Sequence, residues 1–432
     1  MKINYSFPQC YDIKKQITFS QTASANKPQK NSNNDVIFNT YANYNRLLTN
    51  ESFKRNMISF QGVERVSNDN LDTQRTQQIK GCLLGGAVGD ALGAKIEAYT
   101  YDRIKEKYGE SGLHYIPKTS GVYQVTDDTQ MSLFTIEALL KSYLRNHNLE
   151  TEPSYSIIYD SYLDWYSTQT KSPECAYSES GLLGNPAMYH QRGPGYTCMT
   201  ALKEGSPGTI ENPVNNSYGN GGIMRSAPIG LLYKDPELAF TVAAKSTALT
   251  HGHPDAYLAA GCFAAIISNI MSGNDLETAI NVSKTILKQH DSHEYVLENI
   301  DKALELSKED NDPVETIEKQ FGKGANAAET LGIALYSVLR HPDNYKKTII
   351  TAVNHSGDSD TTGAVAGNIC GAYIGINKMP RSWIENIEHS SLLDKYAKDI
   401  YQVININSKK SSDTSSSYQT SIHQRWDDDK FV

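Results

Sequence analysis

The sequence lacks a long apolar segment. Its longest apolar run, at 256–267, is well short of the roughly 20 residues that a helix needs to cross a bilayer, so it predicts a buried core helix. The N-terminus, which begins Met1-Lys2-Ile3, contains no apolar stretch of the kind that forms a secretory signal peptide. We therefore expect a cytoplasmic protein that does not bind membranes.

Excess positive charge and paired cysteines are also missing. The 432 residues contain 41 Lys and Arg against 49 Asp and Glu, a formal charge of −8. This balance argues against a nucleic-acid partner, because phosphate binding needs a concentrated positive field. The six cysteines form no CxxC pair, and several stand among small or apolar residues, as reduced core thiols usually do. We expect no disulfides.

Large apolar residues are scarce towards both ends of the chain. Residues 1–75 are rich in Asn, Gln, Ser, Thr and Lys, and residues 406–432 contain a serine-rich stretch with an acidic end. Such segments bury too little surface to offset the entropy lost on ordering. We predict disordered tails at 1–75 and 406–432 around a folded domain at 76–405. The N-terminal tail is interpreted as a spacer, with delivery of an injected effector as the alternative.

Between the tails, apolar residues recur at helical spacing. Six segments place them at i, i+3, i+4 and i+7: 132–140, 237–248, 255–271, 275–288, 295–307 and 325–339. Strand-like alternation is scarce, and no repeat of constant period is found. The predicted fold is all-α, a single large domain of orthogonally packed helices.

Two of the predicted helices have a glycine at every fourth position. The first series is Gly81, Gly85, Gly89 and Gly93, and the second is Gly363, Gly367, Gly371 and Gly375. Each glycine costs a helix about 1 kcal/mol relative to alanine, so close packing of the two backbones must compensate. We therefore predict a central helix pair that brings the loops at the helix ends together.

A Thr/Asp cluster at 126–129 stands at the start of a predicted helix. A second cluster, at 358–362, stands at the start of the second glycine helix. One such residue is enough for an ordinary N-cap, whereas each cluster supplies at least three oxygen-bearing side chains. Converging carboxylates would repel one another unless cations neutralised them, and oxygen donors without His or Cys suit Mg²⁺, Ca²⁺ or Mn²⁺. A metal centre between the two helix N-termini is one interpretation, and a pair of N-caps is the other.

A glycine-rich loop and a histidine pair complete the candidate chemistry. The stretch 217–225, SYGNGGIMR, has a backbone that could face a phosphate, although such a stretch is also typical of a tight turn. His251 and His253 lie beside Gly252 and Pro254, which indicate a loop. We expect these histidines to donate hydrogen bonds to a ligand rather than to bind metal.

Five segments, in this order and spacing, resemble the ADP-ribosylglycohydrolase family. They are GCLLGGAVGDALGAKIE at 81–97, TDDTQMSL at 126–133, SYGNGGIMRSAPIGLL at 217–232, THGHPDAYLAAG at 250–261 and SGDSDTTGAVAGNICGAYIG at 356–375. The resemblance covers about residues 78–400. It implies an all-α enzyme that uses two Mg²⁺ ions, with Mn²⁺ as the alternative, to hydrolyse the bond between the anomeric carbon of ADP-ribose and an acceptor.

The resemblance also implies individual functions for residues of this sequence. The implied metal ligands are Thr126, Asp127, Asp128, Asp358, Asp360 and Thr361. Glu97, Asp127 and Asp360 are implied catalytic residues. The implied substrate-binding residues are Ser217, Tyr218, Gly219, Asn220, Gly221 and His251. Asp90, within the first glycine helix, is expected to be structural.

The resemblance leaves the acceptor open. A modified protein side chain is expected, with arginine favoured over serine. A hydrolase of a small ADP-ribosyl compound and a catalytically silent, crystallin-like ADP-ribose-binding protein are the alternatives. The cleavage would pass through an oxocarbenium-like state, which surrounding carboxylates stabilise electrostatically.

Overall fold

The structure, a computed structural model, describes residues 74–115 and 121–410. These residues belong to one compact unit and contain no β-strand. The sixteen α-helices of this part of the chain are α1 Gln74–Gly93, α2 Tyr101–Tyr108, α3 Asp127–Asn146, α4 Tyr155–Thr170, α5 Tyr196–Glu204, α6 Ala227–Leu232, α7 Pro236–Ala248, α8 Pro254–Met271, α9 Leu276–Leu287, α10 Glu294–Leu306, α11 Pro313–Gln320, α12 Ala327–Arg340, α13 Tyr345–Val353, α14 Ser359–Ile374, α15 Arg381–Ile384 and α16 Ser390–Lys410.

The all-α prediction is confirmed, and each of the six predicted helices is present, as α3, α7, α8, α9, α10 and α12. The N-termini of most of these helices are determined by capping residues. Helix α7, for example, begins where the side chain of Asp235 accepts a hydrogen bond from the N–H of Glu237, with Pro236 at the first helical position. Local sequence and apolar spacing together therefore determine these elements.

Helix α8 lies at the centre of the core, as its apolar run predicts. It packs against α6, α7, α9 and α12. By length and composition α8 could cross a membrane, yet 83% of it is buried inside the protein, which is the position of a core helix.

The predicted glycine pair is present as α1 and α14, which pack more extensively than any other two helices of the described chain. A Cβ atom added at Gly81, Gly85 or Gly89 would overlap the carbonyl oxygen of the facing Gly371, Gly367 or Gly363. This order of contacts makes the two helices antiparallel. The absence of side chains thus allows main chain to touch main chain, which accounts for the glycines.

The prediction fails at one position of the second series. Gly375 does not continue the helix: it follows Ile374 as the C-terminal cap, with a φ of 76° that favours glycine. It faces Gln77 at ordinary van der Waals distance, and Gly93, at the other end of the pair, meets the main chain of Ser359, so neither faces a glycine.

The last helix, α16, ends at Lys410 and so extends past the predicted boundary at 405. The remainder of the serine-rich tail and residues 1–73 lie outside the described residues.

Four cysteines, Cys82, Cys198, Cys262 and Cys370, are buried free thiols, as expected. The expectation of no disulfides is wrong for Cys175, a half-buried residue that is disulfide-bonded.

Candidate active site

The first Thr/Asp cluster forms the N-terminus of α3. Thr126 is the N-cap, and its hydroxyl accepts a hydrogen bond from the N–H of Asp128 at 3.2 Å. Asp90, buried on α1, accepts hydrogen bonds from the N–H groups of Thr126 and Thr129 and from the Thr129 hydroxyl. Asp90 therefore fixes α3 to the glycine helix, the structural function that the sequence predicts for it.

The second cluster forms the N-terminus of α14. Asp358 is the N-cap there, and its Oδ1 accepts a hydrogen bond from the N–H of Thr361 at 3.3 Å. The same N–H lies 3.0 Å from Oδ1 of Asp360. Capping thus explains Thr126 and Asp358, but it leaves Asp127 and Asp128 without a capping function.

The two clusters meet, as the glycine pair predicts. The hydroxyl of Thr361 lies 3.4 Å from Oδ1 of Asp128. The loop after α1 joins the same place, because the N–H of Ala98 donates to the carbonyl of Gly357 at 2.8 Å. Glu97, next to Ala98, lies exposed at the rim of this cluster. Chain segments more than 200 residues apart in sequence therefore form one acidic centre.

Burial and mutual repulsion dominate the electrostatics of the centre. Burial raises the pKa of Asp127 to about 8, and the charges of Asp90 and Asp358 add to this effect. Burial and neighbouring carboxylates hold the pKa values of Asp128 and Asp360 well above their ordinary range. At Glu97, partial desolvation and then the charge of Asp358 raise the pKa. No ion pair joins these carboxylates to a basic side chain within the described residues.

This donor set fits hard divalent cations. Its donors are carboxylate and hydroxyl oxygens, the ligands that Mg²⁺ prefers, and the buried Oδ2 of Asp128 has no hydrogen-bond partner. Across 74–115 and 121–410, no three His, Cys, Asp or Glu side chains are already grouped to hold one ion. A Mg²⁺ ion there would rely on few carboxylates, with hydroxyls and water completing its shell, which is how Mg²⁺ is commonly bound.

The glycine-rich loop lies against the second cluster. Asn220 donates from Nδ2 to Oδ2 of Asp358 and to the carbonyl of Gly324, each at 2.9 Å. Ser217 accepts a hydrogen bond from the N–H of Gly219 at 3.3 Å. Tyr218 leaves 56% of its side chain exposed, and its ring lies edge-on against His253. The structure thus brings the predicted loop to the predicted acidic centre.

His251 lies beneath the glycine-rich loop. It is buried, and a Cβ atom added at Gly221 would lie 3.0 Å from its Nε2, so the ring closely approaches the loop backbone. Its Nδ1 is 2.8 Å from the hydroxyl of Thr250. Burial, followed by the charge of Arg225, lowers the pKa of His251 to about 3, so the ring is neutral.

The structure also reveals a positioning segment that the sequence analysis did not identify. The carbonyl of Arg192 accepts a hydrogen bond from the N–H of Asp127, and the N–H of Gly195 donates to Oδ2 of Asp127, both at 3.0 Å. Arg192 is itself held by Glu388, with 2.7 Å between Nη2 and Oε1. The glycines at 193 and 195 are the available sequence signal, but they indicate only an irregular segment and not the residue that it contacts.

Comparison with known proteins gives a consistent result. Residues 71–409 match the family model for ADP-ribosylglycohydrolase. A solved structure, an ADP-ribosylglycohydrolase-related protein complex, is similar with a TM-score of 0.52 and 25% identity. The match covers 76% of this chain and 99% of that one.

Three relatives have names that describe an activity. The ADP-ribosylhydrolase ARH3 of Mus musculus is 26% identical over 364 residues, which cover 76% of this chain and 91% of that protein. The ADP-ribosyl-(dinitrogen reductase) glycohydrolase of Rhodospirillum rubrum is 26% identical over 319 residues, covering 71% and 89%. The ADP-ribosylarginine hydrolase Tri1 of Pseudomonas putida is 24% identical over 331 residues, covering 76% and 79%.

Proposed function

The chain belongs to the ADP-ribosylglycohydrolase family, and on this basis we propose that it hydrolyses the bond between ADP-ribose and a modified acceptor. The observation that carries the proposal is the meeting of the α3 and α14 N-termini, where Thr361 contacts Asp128. A second support is that Asn220 joins the glycine-rich loop to Asp358. The acidic centre and a loop suited to phosphate are therefore adjacent.

We propose that two Mg²⁺ ions, or Mn²⁺ ions, occupy the acidic centre. Bound there, they would neutralise the carboxylates and act as Lewis acids towards the hydroxyls of the distal ribose. The raised pKa values and the unpartnered Oδ2 of Asp128 support this assignment, because both show carboxylates that lack compensating positive charge. The proposed ligands are Thr126, Asp127, Asp128, Asp358, Asp360 and Thr361.

Glu97 is the proposed acid–base residue. It is exposed at the rim, whereas Asp127 and Asp360 are buried, so Glu97 can exchange protons with a leaving group or with solvent. Partial desolvation and the charge of Asp358 raise its pKa, which favours the protonated form that a general acid needs. Asp127 and Asp360 would instead stabilise positive charge developing on the sugar ring.

The glycine-rich loop is the proposed binding site for the diphosphate. The residues Ser217, Tyr218, Gly219, Asn220 and Gly221 supply a tight backbone, an exposed aromatic ring and polar side chains around His251. Backbone N–H groups of such loops hold phosphate oxygens without side-chain charge. A small ADP-ribosyl compound would use the same loop, so the loop does not define the acceptor.

For the acceptor we propose an arginine side chain. Tyr196 follows Gly195, whose N–H holds Asp127, and 83% of the Tyr196 side chain is exposed. An exposed aromatic face on the residue that follows this contact can receive a guanidinium through a cation–π interaction. The name of the P. putida relative, an ADP-ribosylarginine hydrolase, points in the same direction.

The decisive experiment is an acceptor panel with Mg²⁺ and with EDTA. Peptides carrying ADP-ribosyl-arginine or ADP-ribosyl-serine and a small ADP-ribosyl compound are incubated with the protein, and released ADP-ribose is measured. Magnesium-dependent release from the arginine peptide is expected, and Asp127→Ala and Asp360→Ala should abolish it. Asp291→Ala, at an exposed site, is the control. A protein that binds ADP-ribose but releases none from any substrate would be the silent alternative.

A further inference from the structure

Arg225 is a buried cation without an anionic partner. Its side chain is 1% exposed, and no carboxylate forms an ion pair with it among the described residues. Its guanidinium lies 4.1 Å from the ring centre of Tyr162, and Nη1 has only sulfur neighbours, on Met131 and Cys198, at 3.4 and 3.5 Å. The short polar contact is from Nη2 to the hydroxyl of Thr250, at 2.6 Å. Burial of an arginine in such surroundings is costly, which indicates a function.

The hydroxyl of Thr250 connects Arg225 to His251. An arginine can only donate, so the Thr250 oxygen accepts from Nη2 and keeps its own proton for another acceptor. Two acceptors are near: Nδ1 of His251 at 2.8 Å and the carbonyl of Thr247 at 3.5 Å. The shorter distance favours donation to Nδ1. A neutral imidazole that accepts at Nδ1 carries its proton on Nε2.

We propose that Arg225 and Thr250 are positioning residues that hold His251 as a neutral imidazole with its proton on Nε2, which donates to an anionic oxygen of the ligand at the glycine-rich loop. The donor faces the backbone of Gly219 and Gly221, the two glycines that leave room for the ring. This inference rests on the proposed function, because the diphosphate of ADP-ribose is the anion assigned to that loop.

The surroundings of His251 keep it uncharged. Arg225 is the charged group that acts on the ring, and it disfavours a second positive charge. Cys198, which also adjoins Gly221, is a thiol whose pKa burial raises to about 11, so it supplies no negative charge. A neutral donor with one fixed tautomer binds an anion in the same way across the pH range in which an ordinary histidine titrates.

The tautomer of His251 can be determined by NMR in the absence of a ligand. Long-range ¹H–¹⁵N NMR of the full chain with ¹⁵N-labelled histidine shows which ring nitrogen carries the proton, and the His251→Asn variant identifies the signal that belongs to His251. We expect protonation at Nε2 in the wild type, unchanged between pH 5 and pH 8. A proton on Nδ1, or titration of the ring within that range, would overturn the inference.

Two matched variants test the connection through Thr250. Thr250→Val keeps the shape but removes the hydroxyl, and Thr250→Ser keeps the hydroxyl. ADP-ribose binding is measured by calorimetry, and thermal unfolding checks the fold. We expect roughly ten- to hundredfold weaker binding in the valine variant, the range for a lost hydrogen bond to a charged group, and restored binding in the serine variant.

The two proposals fail in different ways. Wild-type protein that binds no ADP-ribose would refute the proposed function, while the NMR result would still decide the tautomer. Equal affinity of wild type and a folded Thr250→Val variant would refute the positioning function of Thr250 and leave the proposed function intact. Equally weak binding by the serine and valine variants, with both folded, would also overturn the inference, because it would show that the hydroxyl is not the feature that matters.

Discussion

Replacement of Asp127 by asparagine is expected to stabilise the metal-free protein and to abolish its activity. Asparagine has nearly the same shape and keeps an oxygen that can accept the hydrogen bond from the N–H of Gly195. It removes a buried carboxyl whose pKa is raised to about 8 by burial and by the charges of Asp90 and Asp358. The substitution thus removes the cost of burying this carboxylate.

The size and the pH dependence of the stabilisation by Asp127→Asn follow from the raised pKa of Asp127. The folded state holds its proton more tightly than the unfolded state, whose ordinary pKa is 3.8. The loss of folding free energy caused by the buried carboxylate is therefore absent below about pH 4. It grows as the pH rises towards 8 and is constant above that. At pH 7, about 3 pH units above the ordinary value at 1.36 kcal/mol each, it is at most about 4 kcal/mol. Asparagine should recover part of this, a rise of several degrees in Tm.

The assay is thermal unfolding in EDTA between pH 4 and pH 9, with Asp90→Asn as the matched control. Asp90 is also buried, but its carboxylate accepts from Thr126 and Thr129, so an amide NH₂ would face these donors and cost about 1–3 kcal/mol. Burial raises the pKa of Asp90 as well, but only to about 6, so its replacement relieves a smaller cost, which the lost hydrogen bonds offset. Asp127→Asn is therefore expected to stabilise the metal-free protein more than Asp90→Asn does. An Asp127→Asn variant that is no more stable than wild type at pH 8, or whose advantage is equal at pH 4, would refute the reasoning.

Three further outcomes are expected. Gly85→Ala should lower the free energy of unfolding by about 1–3 kcal/mol in denaturant titrations, because its Cβ would overlap main chain. Gly86→Ala, which meets only a side chain, should cost less. Arg192→Ala breaks the ion pair with Glu388 that holds the segment beside the acidic centre, so kcat should fall about tenfold while Tm changes little, since a partly exposed pair contributes about 1 kcal/mol or less. Tyr196→Ala should raise KM for an ADP-ribosyl-arginine peptide about two- to fivefold, and Tyr196→Phe should restore it.

The helices and their central pair could be predicted because their determinants are local. Apolar spacing gives the helices, and glycines at every fourth position have few explanations other than close backbone contact. This pairing places the end of α1 beside the start of α14. Asp90 holds the N-terminus of α3 at the same end of α1, so Asp128 meets Thr361 there. The end of α14 was misjudged, since a glycine that caps a helix has the same spacing as one that continues it.

The supporting contacts could not be predicted in the same way. The hydrogen bonds of Asp127 to Arg192 and Gly195 depend on the path of an irregular segment that has no periodic pattern. The buried position of Arg225 is equally hidden, because an arginine in a sequence is expected at the surface. Its contact with Thr250 depends on the placement of the loop between α7 and α8 relative to the turn that precedes α6.

The contact between α1 and α14 has a consequence for how such an enzyme can diverge. Where carbonyl oxygens of one backbone rest against glycine Cα atoms of the other, the separation of the axes is already at its minimum and no exchange of side chains can adjust it. The position of the acidic N-terminus of α14 relative to the end of α1 is therefore set by the polypeptide backbone. Under the proposed function, a change of acceptor would therefore require changes at the rim of the acidic centre rather than at this helix contact.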